Sequence, residues 1–345
     1  MNRKYVMIGL LILLIIGSQS VFASAPKLGT SAATELFIPM GARNVALGGS
    51  GIANASGAEA IYWNPAGLAK TGVASATFNY LDYFADMKVT YLAAGARVGR
   101  SGAVGVSFQV MNIGEIPVTT IEAPDGTGEI LEPDYLTVCA TYSNRFTDRI
   151  SFGTNVKMIS EKVGNMSASA VAFDFGLQYM SPFGIAFGVT MKNIGSQMKW
   201  DGTGIEFDTD VPWASPNATT RKTKLDMSDA ELPASMNLGL AYTMNFADMH
   251  KLSLSGTYAN NTYFLDHMAA GVEYALNDLL FLRGGYLMTL YPEDYEDDFE
   301  SAQYGMTFGF GLKLNLGGNK VSIDYANRPM EVFDANQYFS VGFDF

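Results

Sequence analysis

The sequence predicts an all-β fold, a transmembrane antiparallel β-barrel of about 14 strands. Three observations predict it. Apolar residues alternate with small or polar ones over stretches of 10 to 14 residues. The connections between those stretches sort by parity into tight turns and long loops. Beyond an apolar leader, no stretch is greasy enough for a membrane-spanning helix.

The leader comes first. Arg3 and Lys4 precede an apolar run from about Val6 to Ile16. Val21 and Ala23 stand three and one residues before a cut after Ala23; a cut after Ala25 would leave Pro26 first, which is disfavoured. The run is too short to span a bilayer, so residues 1–23 read as a cleaved secretory signal peptide. No cysteine lies near the cut, which argues against a lipoprotein anchor.

Composition narrows the class. Net charge is -12, and removing Arg3 and Lys4 leaves 20 basic against 34 acidic residues, near -14. That excess argues against nucleic acid as a partner. The single cysteine, Cys139, permits no internal disulfide. Gly is abundant at 36 residues, aromatics reach 12% and charged residues only 16%, which suits a chain whose outer partner is outer-membrane lipid. A soluble all-β sandwich would share the alternation, but not the strand lengths or loop parity.

The strands follow in order. Expected spans are 73–82, 88–99, 102–113, 134–146, 149–161, 167–180, 183–195, 233–246, 250–260, 266–276, 279–290, 302–316, 319–326 and 336–345. In one of them Tyr304, Met306, Phe308, Phe310, Leu312, Leu314 and Leu316 oppose Gln303, Gly305, Thr307, Gly309, Gly311, Lys313 and Asn315. Connections after even strands are tight: Arg100 to Gly102, Thr147-Asp148, Ser181-Pro182, Ala247 to Met249, Asn277-Asp278 and Gly317-Gly318. Three after odd strands are long, about 114–133, 196–232 and 291–301. Long loops on one side and short turns on the other characterise outer-membrane barrels; an even strand count then places both termini in the periplasm. By parity Lys157, Glu161, Lys192 and Lys313 face inward, and Cys139 faces the lumen. The last strand alternates Phe339, Val341, Phe343 and Phe345, an aromatic ending that resembles the signal read by the barrel-assembly machinery.

Residues 24–72 differ in texture. They hold Gly41-Ala-Arg43, Leu47-Gly48-Gly49, Gly51 and then Tyr62-Trp63-Asn64-Pro65-Ala66-Gly67-Leu68. Asn64 before Pro65 is a helix start, and Gly67 is expected to end that turn early. The Gly48, Gly49 and Gly51 cluster lets backbone pack on backbone. It is not a phosphate loop, since no Lys-Ser/Thr follows, and no cofactor is expected.

These residues resemble the PorV/PorQ family, related to FadL-type fatty-acid transporters, most specifically over about 31–70. The resemblance implies a barrel over 73–345 whose 24–72 segment folds into the lumen as a plug holding Gly41, Arg43, Gly48, Gly49, Trp63, Asn64, Pro65 and Gly67. It also implies that Arg43 is a buried cation paired to a wall carboxylate, with Asp174 and Asp324 as inward-facing candidates. Two functions follow from it: binding exported substrate proteins in type IX-like secretion, with secretion-system subunits as partners, or FadL-like uptake of hydrophobic small molecules. Inward charges favour the first.

The long loop 196–232 carries Trp200, Trp213 and four basic residues, Lys199, Arg221, Lys222 and Lys224, and reads as a partner-contact surface or a lid. Asp125 to Gly128 and Asp201 to Gly204 repeat Asp-Gly-Thr-Gly, which is turn chemistry without a calcium-loop spacing. Glu293 to Glu300 is an acidic loop face. Catalysis is not expected: the two histidines are His250 at a turn and His267, whose antiparallel partner falls near Ala259, away from Ser253 and Ser255.

Overall fold

The computed structural model describes residues 29–210, 220–247, 249–290, 305–330 and 333–345. The signal-peptide reading, Trp213 and the acidic run 293–300 lie outside the described residues.

Alternation shapes the wall. Fourteen antiparallel strands form a closed ring: β1 Ala74–Asp82, β2 Lys88–Val98, β3 Gly102–Asn112, β4 Asp134–Arg145, β5 Ile150–Val163, β6 Met166–Met180, β7 Ile185–Gly195, β8 Ser235–Ala247, β9 His250–Asn261, β10 His267–Leu276, β11 Leu280–Thr289, β12 Met306–Leu316, β13 Asn319–Arg328 and β14 Asn336–Asp344. Each pairs with the next, and β1 closes on β14 with Phe78 opposite Val341. Closure removes the sheet edges, which a bilayer requires. No helix among the described residues is long and apolar enough to cross a membrane.

The expected spans agree with the observed strands to within a few residues, because period two separates the faces throughout. Phe308 and Phe310 point out, while Thr307 is buried inside. Phe339 and Phe343 are likewise exposed on the outer face. Phe345 lies just past β14, its N–H donating to the Ala74 carbonyl, and it too is exposed. An apolar outer face gains from lipid what a soluble sheet gains from a second layer.

Two further hairpins rise from the long loops. One pairs Ile116–Pro117 with Ile130–Leu131; the other pairs Glu206–Asp210 with Thr220–Lys224. A short strand at Asp201–Gly202 adds to the free end of β6, where Asp201 pairs with Ser167.

Residues 29–72 fill the lumen in short turns: 3-10 helices at Thr34–Phe37, Gly51–Ala53, Gly57–Glu59 and Pro65–Lys70, and α-helical turns at Ala42–Ala46 and Ala60–Trp63. Their path corrects one expectation. The barrel's own ends, near Val73 and Phe345, lie together at the short-turn side, with Val73 donating to Phe345. The described part of the plug, from residue 29, starts at the opposite mouth. Ala32 donates to the Glu231 carbonyl in the 196–232 loop, and Phe37 packs tilted on Phe264 in the short connection between β9 and β10 at the same mouth. Strand parity counts wall crossings, and the plug adds one more passage, through the lumen.

Candidate functional site

The site is the plugged lumen. Its first device is a set of wall glycines. A Cβ on Gly153 would lie 2.3 Å from the Pro65 carbonyl carbon, and one on Gly176 2.2 Å from Asn64 Oδ1. One on Gly188 would meet Ala53 Cα at 2.7 Å, and one on Gly285 the Gly48 nitrogen at 2.2 Å. One on Gly271 would come 2.7 Å from the Leu47 carbonyl oxygen. The glycines face each other across strand pairs, Gly153 with Gly176, Gly188 with Gly239, Gly271 with Gly285. A glycine inside a strand weakens the sheet unless another backbone comes close, and here the plug does. None of these glycines is among the site residues expected from the sequence. Recurring inward glycines at mid-strand were the available signal.

The second device is ionic. The Ala42–Ala46 turn lays Arg43 against β10, where Nε donates to Glu273 Oε2 at 3.0 Å and Nη2 to Oε1 at 3.1 Å. The Glu273 carboxylate holds the Arg43 guanidinium above its ordinary value. Arg283 of β11 donates to the same Oε2 at 2.7 Å and to Asp324 at 2.6 Å. Beside them Glu59 accepts from Asn44 Nδ2 at 2.8 Å, and burial pushes its carboxyl up. Arg43 is thus the expected lumenal cation on a wall carboxylate, but its partner is Glu273. Asp324 is inward as expected and serves Arg283. Asp174 is also inward and pairs with Lys157 at 2.7 Å. Parity names the residues facing the lumen but not their height, and only height selects Glu273.

The motif residues divide by role. Asn64 caps the Pro65–Lys70 turn, its Oδ1 accepting from Ala66 N at 3.2 Å, with Pro65 at the first position. Its Nδ2 donates to the Ile52 and Leu177 carbonyls, so one side chain ties two plug turns to β6. Gly67 does not end this turn, which continues to Lys70. A Cβ there would stand 2.1 Å from the Ala55 carbonyl oxygen, so Gly67 is required for space. Trp63 Nε1 donates to Met40 O at 2.7 Å, and Gly49 packs beneath the ring. Gly41 and Gly48 hold φ of 93° and 70°, a region favouring glycine. Phe343 lies on the lipid face, far from this constellation.

The wall departs from regularity between β6 and β7. The register jumps from Phe173 opposite Ile194 to Phe175 opposite Met191, leaving Asp174 against two residues. Asp174 secures this bulge: it accepts from Asn193 N and from Asn155 Nδ2, each at 2.8 Å. Beyond the bulge Ser196 N donates to the Val171 carbonyl at 2.9 Å, so bonding resumes.

Over the long-loop mouth, Met198, Leu232 and Ala33 form a small apolar cluster against β5 and β6, with Trp200 packed on it. Trp200 is half-buried against this cluster. Lys199 pairs with Asp226 at 2.7 Å, and Lys224 with Asp201. His267 lies opposite Ala259 as expected, its Nδ1 3.2 Å from Asn261 Nδ2. No cluster of three or more metal-ligating side chains occurs among the described residues.

A closed fourteen-strand ring, an apolar outer face and a lumen filled by the chain's own N-terminal segment define a plugged outer-membrane barrel. Solved structures of that class resemble it. The Ralstonia pickettii toluene transporter TbuX aligns with TM-score 0.58 at 13% identity over 88% of this chain and 98% of its own. The Pseudomonas putida toluene transporter TodX gives 0.57 at 13% over 88% and 98%. A Pseudomonas aeruginosa FadL homologue gives 0.55 at 12% over 89% and 98%. At such identities the likeness is one of fold. No curated protein matches the chain. The family model for the type IX secretion system protein PorV matches residues 23–212, more than half of the sequence, and the chain belongs to that family.

Proposed function

We propose that this protein is a closed outer-membrane platform that binds exported substrate proteins in type IX-like secretion, rather than a conduit. The observation that carries the reading is the sealed, charged lumen. Plug backbone rests on wall glycines, and Arg43, Glu273, Arg283, Asp324, Lys157 and Asp174 occupy the interior as ion pairs. An apolar solute gains nothing from such a lining. Family membership supports the same reading.

The surface left for a protein partner is the long-loop end. Its Ile116–Leu131 hairpin carries Glu122 and Glu129 between flanking Glu115 and Glu132, and its Ile121 is 96% exposed. The second hairpin sets Glu206 and Asp208 across from Lys224 and Lys222. Aromatic and aliphatic tips inside charged rims are the usual anatomy of a docking surface. Replacing 115–132 by a short Gly-Ser turn should leave the barrel intact and lower co-purification of secreted proteins. Unchanged co-purification would contradict this placement of the surface.

The second reading, passive uptake of hydrophobic small molecules, is favoured by the FadL-type fold and by the irregular β6–β7 seam. It predicts fatty acids or aromatic hydrocarbons in an organic extract of the purified protein.

A further inference from the structure

The lip of the plug carries a buried acid pair that the preceding reading does not use. Glu35, in the Thr34–Phe37 turn, is 3% exposed; Glu161, near the long-loop end of β5, is 5% exposed. Glu161 pairs across from Tyr135, and Gln109, which lies opposite Thr137 two residues along the same strand, holds the Glu35 backbone, so the wall brings the two carboxyls together. Neither Glu35 oxygen receives a conventional hydrogen bond from a donor group. Among the described residues no basic side chain pairs with either carboxyl. From β4 comes Tyr135, paired across from Glu161. From β3 comes Gln109, whose Nε2 is committed to the Glu35 carbonyl at 3.1 Å. The Ala33 N–H serves Glu161. Lys157, four residues along β5, is engaged by Asp174 and Asn193. From the loops Met198, Leu232 and Trp200 join the apolar cluster that holds Leu36.

Two carboxylates this close and this dry cannot both ionise without strong repulsion. The segment is also strained. Ala33 holds a left-handed conformation with φ 51° and ψ 47°, a region that favours glycine.

We propose that residues 30–37 form a proton-controlled lip: one proton shared by Glu35 and Glu161 keeps it seated in the mouth, and losing that proton lifts it. Lifting uncovers the cavity directly beneath, lined by Leu36, Tyr62, Tyr91, Gln109, Cys139 and Lys157. Burial and the neighbouring Glu161 push the Glu35 carboxyl up to about 8. A carboxyl raised in the seated state stabilises that state at low pH, and the contribution fades as pH climbs through about 8.

Cys139 lines that cavity, so the chain's only thiol reports on the lip. The full-length barrel in detergent is labelled with a small maleimide between pH 6 and 9.5, beside Glu161→Gln and Glu35→Gln. Thiol ionisation accelerates labelling in all three, so the ratio of wild type to variant is the readout. The ratio should lie near 1 at pH 6 and rise about tenfold by pH 9.5, with a midpoint near 8. Both variants must keep the heat-modifiable mobility of a folded barrel; either one alone suffices for the comparison. A ratio that stays within twofold across the range would overturn the proposal. So would wild-type labelling at pH 7 that rises on chelation, which would assign the pair to a divalent cation.

Discussion

Neutralising Arg43 should unseat the central part of the plug without opening the wall. Arg43→Met keeps the apolar stem and removes two charge-assisted hydrogen bonds, 3.0 and 3.1 Å long. Breaking a buried pair by removing one partner costs roughly 3–5 kcal/mol. Two facts lower that figure here. The Arg43 side chain is 24% exposed, and Glu273 keeps Arg283 at 2.7 Å. The expected loss is therefore about 2–3 kcal/mol, or roughly 30- to 150-fold in the open population of the plug. Hydrogen exchange reads this population directly. The Val45 and Leu47 amides donate to Gly41 and Asn44 within the turn that carries Arg43. Their exchange should accelerate by that factor, while wall amides such as those of β13 remain protected. Glu273→Ala should act more strongly, because it strips both Arg43 and the deeply buried Arg283. The reasoning is refuted by less than threefold acceleration at Val45 and Leu47 in Arg43→Met, or by equal acceleration in the wall.

Adjacent glycines provide a contrast: Gly284 has open space around a Cβ, whereas Gly285 meets plug backbone at 2.2 Å. Gly284→Ala should shift the midpoint of heat-modified mobility little; Gly285→Ala should destabilise by about 1–3 kcal/mol. Asn64→Ala removes the cap and leaves two carbonyls without their donor, with an expected loss of about 1–3 kcal/mol by the same assay. Purified protein in planar bilayers should show little steady conductance, and deletion of residues 29–70 should produce large ohmic steps. Phe345→Ala should lower the yield assembled in cells while the protein that does assemble keeps heat-modifiable mobility.

Much of the wall was legible in the sequence because a barrel repeats one physical rule. Every strand must show lipid an apolar face and the lumen a small or polar one, so Phe308 against Thr307 or Phe339 against Ser340 reads directly as out and in. Loop length added the orientation of the strands. The plug was legible as a motif but not as a path. Asn64-Pro65 fixed a local start, yet Gly67 looked like a stop because its neighbour Ala55 is distant in sequence from any turn rule. Arg43 was legible as a lumenal cation. Its choice of Glu273 over Asp324 depends on height along the barrel, which alternation does not encode. The passage of the plug towards the long-loop mouth was hidden for a similar reason, since parity sees only strands. The acid pair was half legible: parity turns Glu161 inward, but Glu35 lies 126 positions away and nothing local marks it as buried.

The central claim is that the closed barrel handles exported proteins. Its most direct test is to isolate the tagged protein from outer membranes in mild detergent and identify what accompanies it by mass spectrometry. The account predicts secreted proteins sharing a common C-terminal domain, or secretion-machine subunits, lost when 115–132 is shortened. Bound fatty acids or aromatic hydrocarbons with no protein partner would contradict it and make the chain a gated transporter.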